Sequence, residues 1–368
     1  MSPVRELVVD LAAIRENVRS AATRIAPARL MAVVKADGYG HGMEQVARAM
    51  ADAGVDAFGV VDLDEARRLR DAGIEQPILA WIHGADADFA WAVSADVELG
   101  IGSVRDLERA ATAAGERPAV VHLKADTGLG RGGAIGDQWA ALVARAAQLE
   151  AAGRVRVRGV WTHLANTSPE ADADQFLAFD AALALAREVG LDPELEHASA
   201  SAAMFDHPAQ ARDMVRAGLA LYGLSTFPER TSAELGLRPA MELAAEVVAV
   251  KRVPAGLGVS YGHRYVTARE TTLALIPLGY ADGLPRAASG RGPVAINGRR
   301  HTIAGAIAMD QVVVDVGDGA VDVGDRAVFW GDPERGVPSA SEWADAADSI
   351  PYEIVTRVGA RVRRRYLS

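Results

Sequence analysis

Residues 30–53 read LMAVVKADGYGHGMEQVARAMADA, and the order of residue types within them decides the fold. Leu30 to Val34 is a short unbroken apolar run, the pattern of a strand buried on both faces. A glycine-rich turn follows it. Met43 to Ala53 then places apolar side chains three and four residues apart, which makes one face of a helix apolar. The same strand, turn and helix unit recurs from Asp10 to about residue 225. Further strands are predicted at Ala57 to Val61, Pro77 to Trp81, Val97 to Ile101, Ala119 to Leu123, Val157 to Trp161, Glu194 to His197 and Asp213 to Arg216. Helices are predicted over Asp64 to Ala72, Val104 to Ala114, Asp137 to Ala152 and Asp172 to Val189, and their alanine content favours them. Alternating strands and helices build a parallel sheet, and about eight such units close into an α/β barrel of the TIM type.

Beyond Leu237 the texture changes. MELAAEVVAVKRV, TTLALIPLG, GPVAINGRRHTIAG, QVVVDVG and DRAVFWG are β-rich runs divided by glycine turns, Asn297-Gly298 among them. The chain is therefore read as a βα barrel over residues 10–236 and a mostly antiparallel β domain over 237–368, with an N-terminal strand at 1–9 packing on the latter. The basic end RVRRRYLS reads as a solvated edge strand.

With 368 residues, half of them hydrophobic, the chain is long enough for a large buried core. Its 39 basic and 49 acidic residues leave a net charge of −10, which opposes binding to nucleic acid or anionic lipid. There are no cysteines, so disulfides, thiolate metal sites and a cysteine nucleophile are excluded. The apolar stretch at the start is broken by Arg5, Glu6 and Asp10, and no window approaches the roughly 20 apolar residues of a membrane span, so a cytoplasmic protein is expected.

Barrel enzymes carry their chemistry where strands end. Here Lys35 follows the first strand, Lys124, Asp126 and Arg131 follow the fifth, His163 the sixth, His197 and Ser201 the seventh, and Arg216 ends the eighth. One strand-end cation is ordinarily a solvated charge, whereas a ring of them is a site. Ser201 and the amides of Gly218 and Leu219 lie in the loops where many barrels hold phosphate, and Tyr39 adds a phenol from the first loop. A lysine among phosphate-binding groups suggests a phosphorylated carbonyl cofactor joined to Lys35 as an imine, for which pyridoxal phosphate fits. Taken alone, Tyr261 reads equally as a tyrosine of the β domain, His197 as a structural strand-end histidine, and Met309 as a core residue.

AVVKADGYGHG, DTGLGRGG, VRAGLALYGL, GVSYGHRY, IPLGYADGLPR and AMDQ, taken in order, resemble the motifs of the alanine racemase family from about Val4 to about Val362. The resemblance implies a homodimer with shared active sites that interconverts L-alanine and D-alanine, using pyridoxal 5'-phosphate, to supply D-alanine for peptidoglycan. It implies that Lys35 anchors the cofactor as an aldimine and serves one face of the substrate, and that the partner subunit's Tyr261 serves the other. Arg216 would face the pyridine nitrogen, and Arg131 the cofactor phenolate oxygen and the substrate carboxylate. His163 would join the network around Arg216 and Tyr261. Tyr39, Ser201, Gly218 and Leu219 would bind phosphate, and the amide of Met309 the substrate carboxylate. Lys124 would carry a carbamate holding Arg131, and Tyr280 and Arg286 would line the entrance. No metal is implied.

Three positions depart from the family pattern. Ala200 stands where many members have asparagine, and Ala308 where some have cysteine. Ala360 stands where many have a phosphate-contacting tyrosine, so the phosphate shell would be thinner, or completed by Tyr352 or a water. Rival readings are a racemase of broader specificity for serine or lysine, a decarboxylase of basic amino acids, and a non-catalytic cofactor-binding barrel. Arg216 and the missing cysteine oppose the second, and the β domain opposes the third.

Overall fold

The computed structural model describes residues 4–368 and divides into two compact units. One comprises Arg15–Gly38 and Val46–Leu221; the other comprises the segment up to Ile14, Tyr39–Gln45 and Tyr222–Ser368. In the first, eight parallel strands run in the order Leu195–His197, Val155–Trp161, Ala119–Lys124, Val97–Ile101, Ile78–Ala80, Ala57–Val60, Arg29–Val33 and Met214–Ala217. The two end strands approach through an Asp213 N–H to Glu196 carbonyl bond of 3.2 Å and a parallel bridge between Ala200 and Arg216, which nearly closes the barrel. Each predicted strand is present, with bounds within about two residues.

Met31, Ala57, Leu79, Leu195 and Met214 pack in the barrel with Trp81 against them. Gly59 makes room for that indole and Gly100 for the start of its side chain: a Cβ at Gly59 would lie 2.7 Å from a Trp81 ring carbon, and one at Gly100 2.9 Å from the Trp81 Cβ. Helices surround the strands, and their starts are chemically marked. Asp62, Ser103 and Ser168 accept the amides of Glu65, Asp106 and Ala171 at 2.9, 3.1 and 3.2 Å. Ser168 with Pro169 at the first turn explains why the helix Pro169–Glu188 begins three residues before the predicted Asp172. Three further helices, Leu11–Ile25, Phe89–Ser94 and Ser201–Asp206, add to those read from the sequence.

The second unit is mostly β. Its six-stranded sheet runs Arg299–Thr302, Pro293–Ile296, Arg326–Trp330, Met241–Glu246, Arg5–Asp10 and Arg363–Leu367, antiparallel except for the last pair. The first two strands form a hairpin whose turn residues Asn297 and Gly298 have φ of 49° and 72°, as a type I′ turn needs. The basic C-terminal end is the edge strand Arg363–Leu367. A three-stranded sheet, Ala249–Val253, Thr271–Ile276 and Val312–Gly317, and a two-stranded one, Gly258–Val259 with Tyr265–Val266, make up the remaining sheets among the described residues. Two helices, Ala340–Ala347 and Pro351–Thr356, lie within this unit. Among the described residues, no helix is long and apolar enough to cross a membrane.

Candidate active site

Lys35 follows the strand Arg29–Val33 at the start of an unusual turn. Ala36, Asp37, Gly38 and Tyr39 all have φ between 52° and 61°. Left-handed backbone is costly for residues with a Cβ. Glu65 offsets that cost: its two carboxylate oxygens accept the amides of Ala36 at 2.7 Å and Val61 at 2.8 Å. Gly38 N–H donates to the Val34 carbonyl at 2.8 Å, and Arg68 pairs with Asp37 at 2.8 Å. The lysine is thus presented from a fixed turn. Burial, then Arg131, lower the Lys35 pKa below its ordinary value, with Glu65 opposing.

Arg131 sits on the loop that leaves the strand Ala119–Lys124. Asp126 shapes this loop by accepting the amides of Gly128 and Gly130 at 3.0 and 3.1 Å. Burial raises the Asp126 pKa, but these amides outweigh it and hold the carboxylate ionised. The Lys124 pKa falls to about 8, through burial first and then Arg131 and Arg216. Lys124 Nζ lies 4.8 Å and the Arg216 guanidinium 4.9 Å from the Trp161 ring centroid, so one indole bears both cations.

Arg216 is buried and has no carboxylate partner among the described residues. It donates through NH2 to the carbonyls of Thr162 at 2.6 Å and Ala198 at 3.1 Å, and NH2 lies 3.2 Å from His163 Nδ1. Its NH1 donates to the His197 carbonyl at 2.7 Å. Burial lowers its pKa to about 9. His163 falls to about 3, through burial first and then Arg216, Arg131, Lys124 and Lys35, so the imidazole is neutral and accepts from Arg216. Ser201 Oγ accepts the Gly218 amide at 2.9 Å, which joins those two residues; Leu219 opens a 3-10 turn beside them.

The barrel unit therefore brings together Lys35, Lys124, Arg131, His163, His197 and Arg216 around one positive field, with Ser201, Gly218 and Leu219 grouped by hydrogen bonding. Tyr39 belongs to the other unit, where its ring lies 4.8 Å from Tyr222 and 6.2 Å from Tyr352. In that unit Tyr261, Met309 and Tyr280 are 77%, 57% and 41% exposed, and Arg286 is exposed too. Their loops are tied together. Tyr280 and Ala281 donate to the carbonyls of Ala308 and Met309 at 3.0 and 2.8 Å, and Ser260 Oγ donates to the Ala306 carbonyl at 2.8 Å. Gly279 must lack a side chain there, since a Cβ would lie 2.4 Å from the Ala308 carbonyl oxygen.

Sequence reasoning did not single out Glu65, Glu98 or His122. Glu98 and His122 interrupt the apolar runs VELGI and AVVHLK, and a polar residue inside a buried strand is itself a signal. Glu65 lies among other charged residues of a helix start and carries no such mark.

A lysine-centred barrel followed by a β domain defines a two-domain enzyme class, and the comparisons say which. Residues 9–226 match the family model "Alanine racemase, N-terminal domain" and residues 240–366 "Alanine racemase, C-terminal domain". The alanine racemase of Thermobifida fusca is 49% identical over 371 residues, covering 100% of this chain and 99% of that protein. The crystal structure of alanine racemase from D-cycloserine producing Streptomyces lavendulae superposes with a TM-score of 0.98 at 47% identity, covering 100% of this chain and 98% of that one. The alanine racemase of Streptomyces coelicolor gives 0.97 at 45%, covering 99% and 98%. This chain belongs to the alanine racemase family, and it is an amino-acid racemase.

Proposed function

We propose that the protein interconverts L-alanine and D-alanine in the cytoplasm with pyridoxal 5'-phosphate, as a homodimer with shared active sites, and so supplies D-alanine for peptidoglycan. The observation that carries this reading is the cationic, lysine-centred ring in the barrel. The donor set suits an anionic phosphorylated aldehyde: an amine of lowered pKa at Lys35, a hydroxyl at Ser201 grouped with Gly218 and Leu219, and the guanidinium of Arg216. Among the described residues, Nε–H is the one donor of that guanidinium without an acceptor, which leaves it for the pyridine nitrogen. Tyr39 and Tyr352, neighbours in the second unit, add phenols for the phosphate where Ala360 offers none. When bound, the cofactor supplies an electron sink that acidifies the hydrogen on the substrate Cα.

Inversion needs a proton taken from one face of Cα and returned on the other. Lys35 holds and moves the proton on one face. The partner subunit's Tyr261 does so on the opposite face, and the exposure of Tyr261, Met309 and Tyr280 on linked loops supports their covering by a second copy. Arg131 and the Met309 amide of the partner subunit take the substrate carboxylate, and Tyr280 and Arg286 line the approach. His163, neutral beside Arg216, links the guanidinium to the tyrosine side. With a pKa of about 8, Lys124 has a larger unprotonated fraction near neutral pH than an ordinary lysine, and that fraction reacts with carbon dioxide: the N–C bond forms, one proton leaves, and the carbamate pairs with Arg131. Arg216 is a donor and does not hand its proton to a ring nitrogen, so it makes a weaker electron sink than a carboxylate partner would, which favours return of the Cα proton over side reactions.

Mixing Lys35→Ala and Tyr261→Ala chains, each inactive alone, tests the shared site. Hybrid dimers keep one intact site, so activity returns. Proven subunit exchange with no activity would overturn the arrangement. A serine or lysine racemase of the same design is the second reading, favoured if those amino acids are inverted as fast as alanine.

A further inference from the structure

Arg216 is buried, and the carboxylate at the end of its hydrogen-bond chain lies two imidazoles away. Its NH1 is 3.1 Å from His197 Nδ1. A guanidinium has donors only, so Nδ1 must present its lone pair. Burial, then Arg216 and His122, hold the His197 pKa well below the ordinary value, so the ring is neutral and its proton is on Nε2. That nitrogen is 2.9 Å from His122 Nδ1, which therefore accepts. With Nδ1 accepting, the ring proton of His122 is on Nε2, 2.7 Å from Glu98 Oε2. The other Glu98 oxygen accepts from Arg158. Both imidazoles are fully buried, and Gly159 makes the space, since a Cβ there would lie 2.3 Å from His122 Nδ1. Every hydrogen bond in the chain points from Arg216 toward Glu98, as both ends dictate: a donor-only cation at one end and an acceptor-only anion at the other.

We propose that Glu98 and His122 are positioning residues of the racemase, locking His197 in the Nε2–H tautomer so that Arg216 keeps its acceptor and its place. The inference deepens the role assigned to Arg216 above and rests on it. A carboxylate touching Arg216 directly would cancel the positive field of the site. Set beyond two imidazoles, Glu98 fixes the arginine's surroundings and leaves that field intact.

Glu98→Gln tests this because glutamine has one carbonyl oxygen for two donors. Arg158, the charged donor, takes the oxygen. The amide NH2 then faces His122 Nε2, which must accept, and the protons of His122 and His197 both move to Nδ1, setting donor against donor at Arg216. Nitrogen-15 NMR of histidine-labelled holoenzyme, assigned through histidine variants, should show Nε2–H at both residues in the native protein and Nδ1–H at both in Glu98→Gln. The kcat for alanine should fall about 10- to 100-fold, the usual effect of losing such an orienting partner, with KM little changed. Adding Arg158→Met frees the oxygen for His122 and should restore both the tautomers and most of kcat. Nδ1–H or an imidazolium at native His197, unchanged tautomers in Glu98→Gln, or a kcat loss that Arg158→Met does not recover would each overturn the proposal. A native protein that binds cofactor but inverts no alanine overturns the proposed function instead, while the tautomers still decide the hydrogen-bond chain.

Discussion

Glu65 ties the lysine turn to the neighbouring strand, and Glu65→Gln measures how firmly. The native carboxylate accepts two backbone amides, Ala36 at 2.7 Å and Val61 at 2.8 Å. Hydrogen bonds to charged groups contribute about 1.5–3 kcal/mol each. Glutamine keeps one acceptor and sets its NH2 against the other amide. The loss is therefore one charge-assisted bond, and partial exposure of the site to water favours the lower part of the range, about 2 kcal/mol. Release also relieves the left-handed backbone of Ala36, Asp37 and Tyr39, so the effect appears as local opening of the turn before global unfolding. Two kcal/mol corresponds to about 30-fold in an equilibrium constant. Hydrogen exchange at Ala36 should accelerate about 30-fold, with barrel-strand amides unchanged. Removal of the Glu65 charge should also lower the Lys35 pKa further, because that charge raises it in the native protein. Native exchange rates at both Ala36 and Val61 would refute this account of the turn.

Arg216→Glu should raise abortive transamination relative to racemisation, read by the appearance of the keto acid; an unchanged ratio would remove the electronic role given to the arginine. His163 supplies a pH effect with a defined sign. Its folded pKa of about 3 lies below the ordinary 6.5, so the unfolded chain binds the extra proton and native stability falls as pH drops through 6.5. Between pH 7.5 and 5.5 the native protein should lose about 1.4 kcal/mol more than His163→Phe in chemical denaturation. Lys124 should give a carbamate resonance in carbon-13 NMR under labelled carbon dioxide, and Lys124→Met should remove it.

The barrel could be read from the sequence because parallel strands buried on both faces are continuous apolar runs, and Leu30 to Val34 or Ala57 to Val61 have few competing interpretations. Phe89–Ser94 and Ser201–Asp206, six residues each, are too short to display a helical period. The helix Ala340–Ala347 did carry a local mark, the reciprocal capping box of Ser339 and Glu342, with bonds of 3.1 and 2.7 Å. The strand-end cations were visible because topology alone puts them at one mouth. The pairing of Glu98 with His122, 24 residues apart, and of His122 with His197, 75 apart, depends on which strands become neighbours and on the space at Gly159. Long-range register of this kind has no local signature. The grouping of Tyr39–Gln45 with the β-rich unit is of the same nature.

The claim that two bases invert alanine is tested most directly by Cα exchange in deuterium oxide across a panel of amino acids. L-alanine and D-alanine should each yield the opposite enantiomer carrying solvent deuterium at Cα, with serine and lysine exchanging far more slowly. Exchange without inversion, or serine or lysine labelled as fast as alanine, would contradict it.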